Sequence, residues 1–511
     1  MSELVADVVV VGGGAAGLSA AIAAATAGAS VLVLEKNPML GGSSRLSVGS
    51  INAAGSSLQK RAGIIDTPDE HFEDMDWFTG AFAGRDNLAL RRILVDNAAD
   101  SLEWLISLGM SFYGPTADPP HRHARMHNIL PNSRAYPYCL GREARRLGVD
   151  IRLNTPVLKV LGDGQEGARG ALASMDGSPT EVRARLGVIL AAGDYSNGME
   201  LKQLFRPELV NIPAVNPTAT GDGQRMGEAF GGHIVNGEVV YGPSLRFCEL
   251  SRRTLVSRLP PSRLLGKMLQ MALQHLPIGL FRPFVMSFMT ASLGPELSLL
   301  RCGAILVNAQ GQRFADEMLH PGLAIAKQSG QRAWLVFDSA VAKKFSGPPH
   351  HISTAPGVAF AYLADYKRHR KDLYHCEPTL DDLARSSGLP AEQLRAATAA
   401  HNAVLQAVPS ADRSPVVQPP YYLLGPLESR IVITDGGLAV DTRHQVLRPN
   451  GTPIPRLFAA GATGQGGALL AGNGHHICWA VTSGRRAGRF AAQEAQSSQA
   501  PVEGDRFRAP V

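Results

Sequence analysis

Cysteine is scarce in this chain: five residues (Cys139, Cys248, Cys302, Cys376 and Cys478) among 511, all far apart. None falls in a CxxC or CxxCH pattern, which argues against attached haem, a zinc ribbon or a disulfide framework and fits a reducing cytoplasm. Aromatics make up only 6%, and the net charge of +6 is spread along the chain without a dense Lys/Arg run. Nucleic-acid binding is therefore not expected. The opening MSELVADVVVVGGG runs directly into a strand, without the basic and cleavage regions of a signal peptide. A cytoplasmic location is expected. What remains is an ordinary globular mix, 45% hydrophobic and 18% charged. Its length predicts two domains, or one large domain with an insertion.

The N-terminus carries the first chemistry. Asp7 to Val11 form an apolar run, as a buried parallel strand requires. Gly12-Gly13-Gly14-Ala15-Ala16-Gly17 comes next, then an Ala-rich helical stretch and a second strand, SVLVLEK, that ends on Glu35 and Lys36. Gly12 makes the tight turn, Gly14 lets the backbone approach a pyrophosphate, and Gly17 lets helix and strand pack closely. Free N–H groups at the helix start, beside Ala15 and Ala16, suit the phosphates, and Glu35 can accept bonds from a ribose. Strand, glycines, helix, strand and acid in register make a strong dinucleotide signal.

FAD is preferred to NAD because of residues further along. Gly41-Gly42-Ser43-Ser44 succeeds the second strand, and SVGSINAAG continues it with small residues suited to a large flat cofactor. Gly187 to Gly193 form another apolar strand ending in small residues, and Thr220-Gly221-Asp222-Gly223 and Leu457 to Gly461 add two glycine turns. Together with NAQGQRFADE at 308–317, these residues resemble the fumarate reductase and 3-ketosteroid dehydrogenase flavoprotein superfamily over nearly the whole chain. The resemblance implies an α/β fold: a Rossmann-like FAD-binding domain with an inserted α+β cap. It extends the cofactor contacts to Lys36, Gly42, Ser43, Ser44, Ser47, Val157, Ala191, Ala192, Gly193, Asp222, Gly461, Ala462, Gly474, His475, His476 and Ile477. Ser44 stands where some members carry a histidine bonded to FAD, so non-covalent binding is expected.

The FAD-like pieces lie at 1–245 and 426–498, the cap at 246–425, and residues 499–511 form a polar tail expected to be disordered. There is no second GxGxxG unit, so a dedicated NAD(P)H domain is not expected. Thr379 with Asp382 reads as a capping box, and Pro390 opens the next helix. Arg252 to Leu300 is rich in Leu, Met and Phe but interrupted by Pro277, Arg282 and Pro283, so it cannot span a bilayer. It reads either as an interfacial helix (Arg263 to Leu276) beside an apolar substrate entrance, giving peripheral membrane contact, or as cap core or an oligomer interface.

The substrate is read from missing charges. The resemblance places four cationic or proton-carrying groups of the dicarboxylate-reducing members onto Ile433, Leu469, the Tyr241-Gly242-Pro243 turn and Pro321, all neutral here. Unpaired carboxylates would cost several kcal/mol, so a cavity without fixed positive charge and an uncharged substrate are expected. A neutral cyclic ketone fits, desaturated beside its carbonyl, with electrons passing to a quinone or another carrier. The alternatives are the reverse ene-reduction of enones and a non-catalytic FAD-binding redox protein. Candidate acid/base or carbonyl-binding residues are Tyr195, at the end of a cofactor-lining strand, His320, beside the lost arginine position, Tyr241 and Tyr113. Loop tyrosines Tyr136 and Tyr138 are weaker candidates. His121, His123 and His127 have metal-like spacing, but Pro119 and Pro120 mark a loop, and no metal is expected.

Overall fold

The apolar run near the N-terminus becomes the centre of a parallel sheet. β1 (Leu4–Val11) pairs in parallel with β2 (Val31–Leu34), Val8 opposite Val31, and with β4 (Ser178–Leu190), Val8 opposite Gly187. β3 (Asp150–Arg152) joins beyond β2 and β5 (Pro453–Ala459) beyond β4, giving five parallel strands in the order β5-β4-β1-β2-β3. Val8 to Val11 are buried on both faces, which explains the unbroken apolar run. The computed structural model describes residues 4–163, 165–248, 259–355, 358–408, 410 and 412–498. The tail expected at 499–511 lies outside the described residues, as do 249–258 of the apolar stretch.

Two helices pack together beside β1. α1 (Ala15–Thr26) begins directly after the glycine turn, and α2 (His475–Ser498) lies alongside it. Their contact is backbone to backbone: a Cβ on Gly484 would meet the Ala16 carbonyl oxygen at 2.3 Å, and one on Gly488 the Ala20 oxygen at 2.1 Å. The Ala-rich sequence of α1 is the complement of this glycine pair.

A second core forms around an antiparallel sheet whose central strand, Tyr421–Arg430, pairs with Arg332–Phe337 on one side and with Ser244–Phe247 and Tyr374–Glu377 on the other. Leu335, Phe337, Tyr366, Leu424 and Leu427 are among its buried residues. Helices Leu380–Ser387 and Ala391–Ala407 cover it; Thr379 caps the first by accepting the Asp382 N–H at 3.1 Å, and Pro390 precedes the second. The NAQGQRFADE stretch is a staple of this unit. Asn308 Oδ1 accepts two N–H groups of its turn, and Glu317, buried, pairs with Arg313 at 2.7 Å while accepting the Leu306 N–H.

Within the apolar stretch, helix Arg263–His275 is fixed by Gly266 against Ser111 and by Gln270 Nε2 donating to the Phe112 carbonyl at 2.9 Å. Its other face leaves Leu264, Met268 and Met271 exposed at helical spacing. No described helix is long and apolar enough to cross a membrane.

The glycine turn is the tightest constraint. A Cβ on Gly17 would stand 1.9 Å from the Gly12 carbonyl oxygen, a backbone atom that cannot swing aside. Gly17→Val is therefore expected to destabilise the protein by roughly 1–3 kcal/mol through overpacking, read as a lowered urea midpoint. An unchanged midpoint would show that the turn can relax.

Candidate active site

At the carboxyl ends of the parallel strands, where ligands sit in doubly wound sheets, a cavity of about 560 Å³ opens. One end is built on β2. Glu35 is buried, and its carboxylate accepts the Gly13 N–H at 2.7 Å and the Asn37 N–H at 2.8 Å. These bonds fold the chain around the glycine turn and leave carboxylate lone pairs for hydroxyl donors. Lys36 Nζ lies 2.7 Å from Asp222 Oδ2 and 2.6 Å from Thr220 Oγ1. Burial pushes the Asp222 carboxyl up, but the bond and charge of Lys36 prevail and hold it below the ordinary range. In the middle, the start of α1 faces the cavity with Ser43 and Ser44; Ser44 Oγ accepts the Ala15 N–H at 3.4 Å.

The opposite end carries a cluster of proton-bearing groups around one carboxylate. Asp435, fully buried, accepts from Tyr241 Oη at 2.6 Å, from His476 Nε2 at 2.7 Å and from the Leu470 N–H at 3.0 Å. Burial alone would raise its carboxyl, yet the adjacent His476 and these bonds hold it below the usual range. Tyr241 is pushed above the ordinary phenol range, by burial first and then by the Asp435 charge. Tyr241 and His476 both line the cavity, with Leu293, Val432, Ile433 and Leu470 as apolar neighbours.

Every expected cofactor contact lines this cavity except Gly17, which packs against Gly12, and His475. The His475 side chain turns away from the cavity, its Nδ1–H donating to the Ala471 carbonyl at 2.6 Å. Of the four candidate catalytic residues, only Tyr241 reaches the site. Tyr195 is fully buried, because the chain reverses at Gly193 (φ +87°) and sends the phenol to the Gly237 carbonyl. His320 caps a short helix, exposed, beside a separate hollow lined by Phe314 and Leu323. Tyr113 lies in strand Ser111–Thr116 opposite Asn128, outside the cavity lining. Tyr136 is buried with its hydroxyl on the Gly49 carbonyl, and Tyr138 is exposed.

The expectation of a cavity without fixed positive charge does not hold. Arg246, from strand Ser244–Phe247, lines it, its guanidinium pKa lowered by burial. No motif marks this arginine; only the pairing of its strand with Tyr421–Arg430 brings it in. Sequence reasoning also missed Asp435, although it stands within the ITDGG stretch, where an acid followed by two glycines is a readable signal.

A family model described as FAD binding domain matches residues 7–258 and 264–474. The chain belongs to this FAD binding domain family. The probable fumarate reductase Ifc3 of Shewanella frigidimarina is 28% identical over 508 residues, covering 96% of this chain and 75% of that protein. The open conformation of a flavocytochrome c3 fumarate reductase superposes with a TM-score of 0.72 at 26% identity, covering 96% of this chain and 79% of that one. A 3-ketosteroid delta1-dehydrogenase from Sterolibacterium denitrificans shares the fold, with a TM-score of 0.63 at 20% identity and coverage of 96% and 99%. The chain is thus an FAD-dependent oxidoreductase of the type acting on CH–CH groups, in the superfamily that its motifs indicated. FAD fits the residues present: Glu35 for a ribose, the start of α1 with Ser43 and Ser44 for phosphates, and small residues at Ala191 to Gly193 and Gly461 for a flat ring system.

Behind the cavity floor, His71, His121 and His475 form a buried cluster. Burial holds His121 down at about 2 and His475 at about 4, and pushes His71 well below its ordinary value; His444, buried elsewhere, falls to about 3. The folded rings stay neutral while the unfolded ones take up protons below their ordinary pKa near 6.5. The unfolded state then binds more protons, so stability is present above pH 6.5 and lost as pH falls from there towards the folded values. Urea midpoints are expected to drop steeply between pH 6.5 and 5, by up to about 1.4 kcal/mol per pH unit for each such ring. A flat profile over that window would contradict the burial of these rings.

Proposed function

We propose that the chain moves hydrogen across the Cα–Cβ bond of a neutral cyclic ketone or its enone, with residues 246–425 acting as a cap over the reacting face and FAD held without a covalent link. The observation that carries this reading is one buried carboxylate, Asp435, holding two proton-bearing groups, Tyr241 and His476, in a cavity also lined by Leu293, Val432, Ile433 and Leu470. Arg246, the one guanidinium among the described lining residues, suits a single carbonyl oxygen, whose negative charge grows as the adjacent carbon loses or gains its proton. A dicarboxylate needs a charge-assisted partner at each end, and Ile433 and Leu470 offer none. Bound FAD supplies the two-electron exchange with the β carbon; a quinone or another small carrier is its partner in turnover.

In the desaturating direction His476 takes the α proton. Asp435 holds its Nε2, which leaves Nδ1 for the substrate, and the carboxylate stabilises the imidazolium that forms. Enone reduction is the second reading, and two observations favour it. The Shewanella frigidimarina relative and the flavocytochrome structure are both named fumarate reductases. Tyr241, pushed up by burial and the Asp435 charge, keeps its proton and serves better as donor than as base.

Anaerobic mixing separates the directions. Oxidised protein bleached near 450 nm, roughly where bound flavins absorb, by cyclohexanone or a 3-ketosteroid means desaturation; reduced protein reoxidised by the matching enone means reduction. Asp435→Asn should stay yellow while either rate falls on the order of 10²-fold. No response to any ketone or enone, or rapid reoxidation by fumarate, would overturn the proposal.

The exposed stripe Leu264, Met268 and Met271 extends this reading to the route of entry. Residues 250–295 contain no Asp or Glu but six Lys or Arg (Arg252, Arg253, Arg258, Arg263, Lys267 and Arg282). Arg246, four residues before this segment, and Leu293, near its end, both line the cavity. A basic helix with an apolar stripe suits an anionic lipid surface, from which an apolar substrate passes inward. Sedimentation with phosphatidylglycerol vesicles is expected, and should fail for the Met268→Glu, Met271→Glu double variant. Binding equal to wild type in that variant, or a stripe covered by a second copy in solution, would refute the lipid contact.

A further inference from the structure

We propose that His71, His121 and His475 bind one zinc ion through their Nε2 atoms, clasping the floor of the flavin cavity from behind. The three rings come from separate elements: helix Pro68–Asp74, the loop between strands Ser111–Thr116 and Met126–Leu130, and the first residue of α2. All three are buried. Nothing in their sequence spacing connects them.

Their mutual geometry is that of ligands to a common centre. Ring centroids lie 5.6 Å apart for His71 and His121, 5.3 Å for His71 and His475, and 5.2 Å for His121 and His475, a nearly equilateral triangle. Imidazole nitrogens bind zinc at about 2.0–2.1 Å, which puts each ring centre about 3.2 Å from the ion and, at tetrahedral angles, about 5.2 Å from the next. The Nε2 atoms of His71 and His475 are 3.1 Å apart, close to the ~3.3 Å that two nitrogens on one tetrahedral zinc require.

One ring is already set for this: a carbonyl can only accept, so the 2.6 Å contact from His475 Nδ1 to Ala471 O fixes the proton on Nδ1 and turns the Nε2 lone pair into the cluster. His121 Nδ1 accepts from Arg125 Nη1 at 3.3 Å, with Asp74 Oδ2 at 3.7 Å, so ligation through Nε2 requires its proton to move to Nδ1, on the side of Asp74. Arg125 is itself paired with Asp66 at 2.9 Å and Asp74 at 3.0 Å, and Asp74 also with Arg122 at 2.7 Å, so two carboxylates and two guanidiniums balance beside the rings. Rings that remain neutral at physiological pH are already in the state that metal binding needs.

Without an ion the hydrogen bonding does not close. Asn52 Nδ2 sits 3.2 Å from His121 Nε2, 3.3 Å from His475 Nε2 and 2.6 Å from the Asn473 carbonyl, while having only two hydrogens. Its Oδ1 is buried and without a partner, a costly state for a buried acceptor. An ion takes up the ring lone pairs, leaves the Asn52 amide to Asn473, and has its fourth position open to the Asn52 oxygen or a water. Because Asn473, Gly474 and His476 line the flavin cavity while His475 faces the ion, the clasp sets the position of the start of α2.

The test uses FAD-loaded protein purified from zinc-replete medium without chelator. Elemental analysis is expected to find about one zinc per chain, and X-ray absorption about three imidazole nitrogens at ~2.0 Å. His71→Ala and His121→Ala should each lose at least nine-tenths of the zinc while their flavin-to-protein ratio shows them folded; His320→Ala, remote from the cluster, should keep it. If the cluster variants fail to fold, the wild-type absorption spectrum decides alone: a shell without imidazoles overturns the site. So does wild-type protein that neither carries zinc nor takes it up on titration, as a purely hydrogen-bonded cluster would. Zinc retained in folded His71→Ala also overturns it, and would point to the more open group Asp66, Glu70 and His123.

Discussion

Backbone-to-backbone contact at glycine is the constraint on which the cavity depends. Gly12 and Gly17 close the turn after β1, and Gly484 and Gly488 let α2 lie against α1 with no side chain between them. These contacts bring two helix starts to the same edge of the sheet, α1 towards the phosphate end and α2 towards the reactive end. Residues at both helix starts line the cavity, and N–H groups at such starts suit an anionic cofactor. A larger residue at any of these positions would push apart the surfaces that define the site.

Charge inside that volume is sparse and placed. At the nucleotide end Lys36 and Asp222 satisfy each other, and Glu35 is tied to the glycine turn. At the reactive end the carboxylate of Asp435 stays ionised in a buried position because His476, Tyr241 and a backbone N–H surround it. Burial and then that anion raise the phenol of Tyr241, and the anion also holds the imidazole of His476, so one buried group contacts two proton-bearing side chains. Arg246, opposite Glu428 in the antiparallel sheet, adds a guanidinium to the same cavity.

The histidine cluster and Asp435 lie on opposite sides of the start of α2, through the adjacent residues His475 and His476. Successive residues on a helix point about 100° apart, so neighbours in sequence serve different compartments: one ring joins a buried cluster, the other the cavity. A shift of this helix end would disturb both.

The sequence alone determined the Rossmann-like FAD fold, because its signals are local: an apolar run, glycines at fixed offsets and an acid at the end of the next strand all lie close together in the chain. Nearly all of the residues it named for the cofactor line one cavity, since small residues at the ends of parallel strands meet at the same edge of the sheet. Tertiary structure alone decided which polar groups meet. Tyr195 succeeds a cofactor-lining strand, yet one left-handed glycine turns it into the core. His320 neighbours a motif whose ion pair is structural, and it faces away from the site. Arg246, Asp435 and the union of His71, His121 and His475 depend on strand pairing and helix docking between segments far apart in the chain. Side-chain direction in such contacts comes from the packing of whole elements, and no short stretch of sequence contains it.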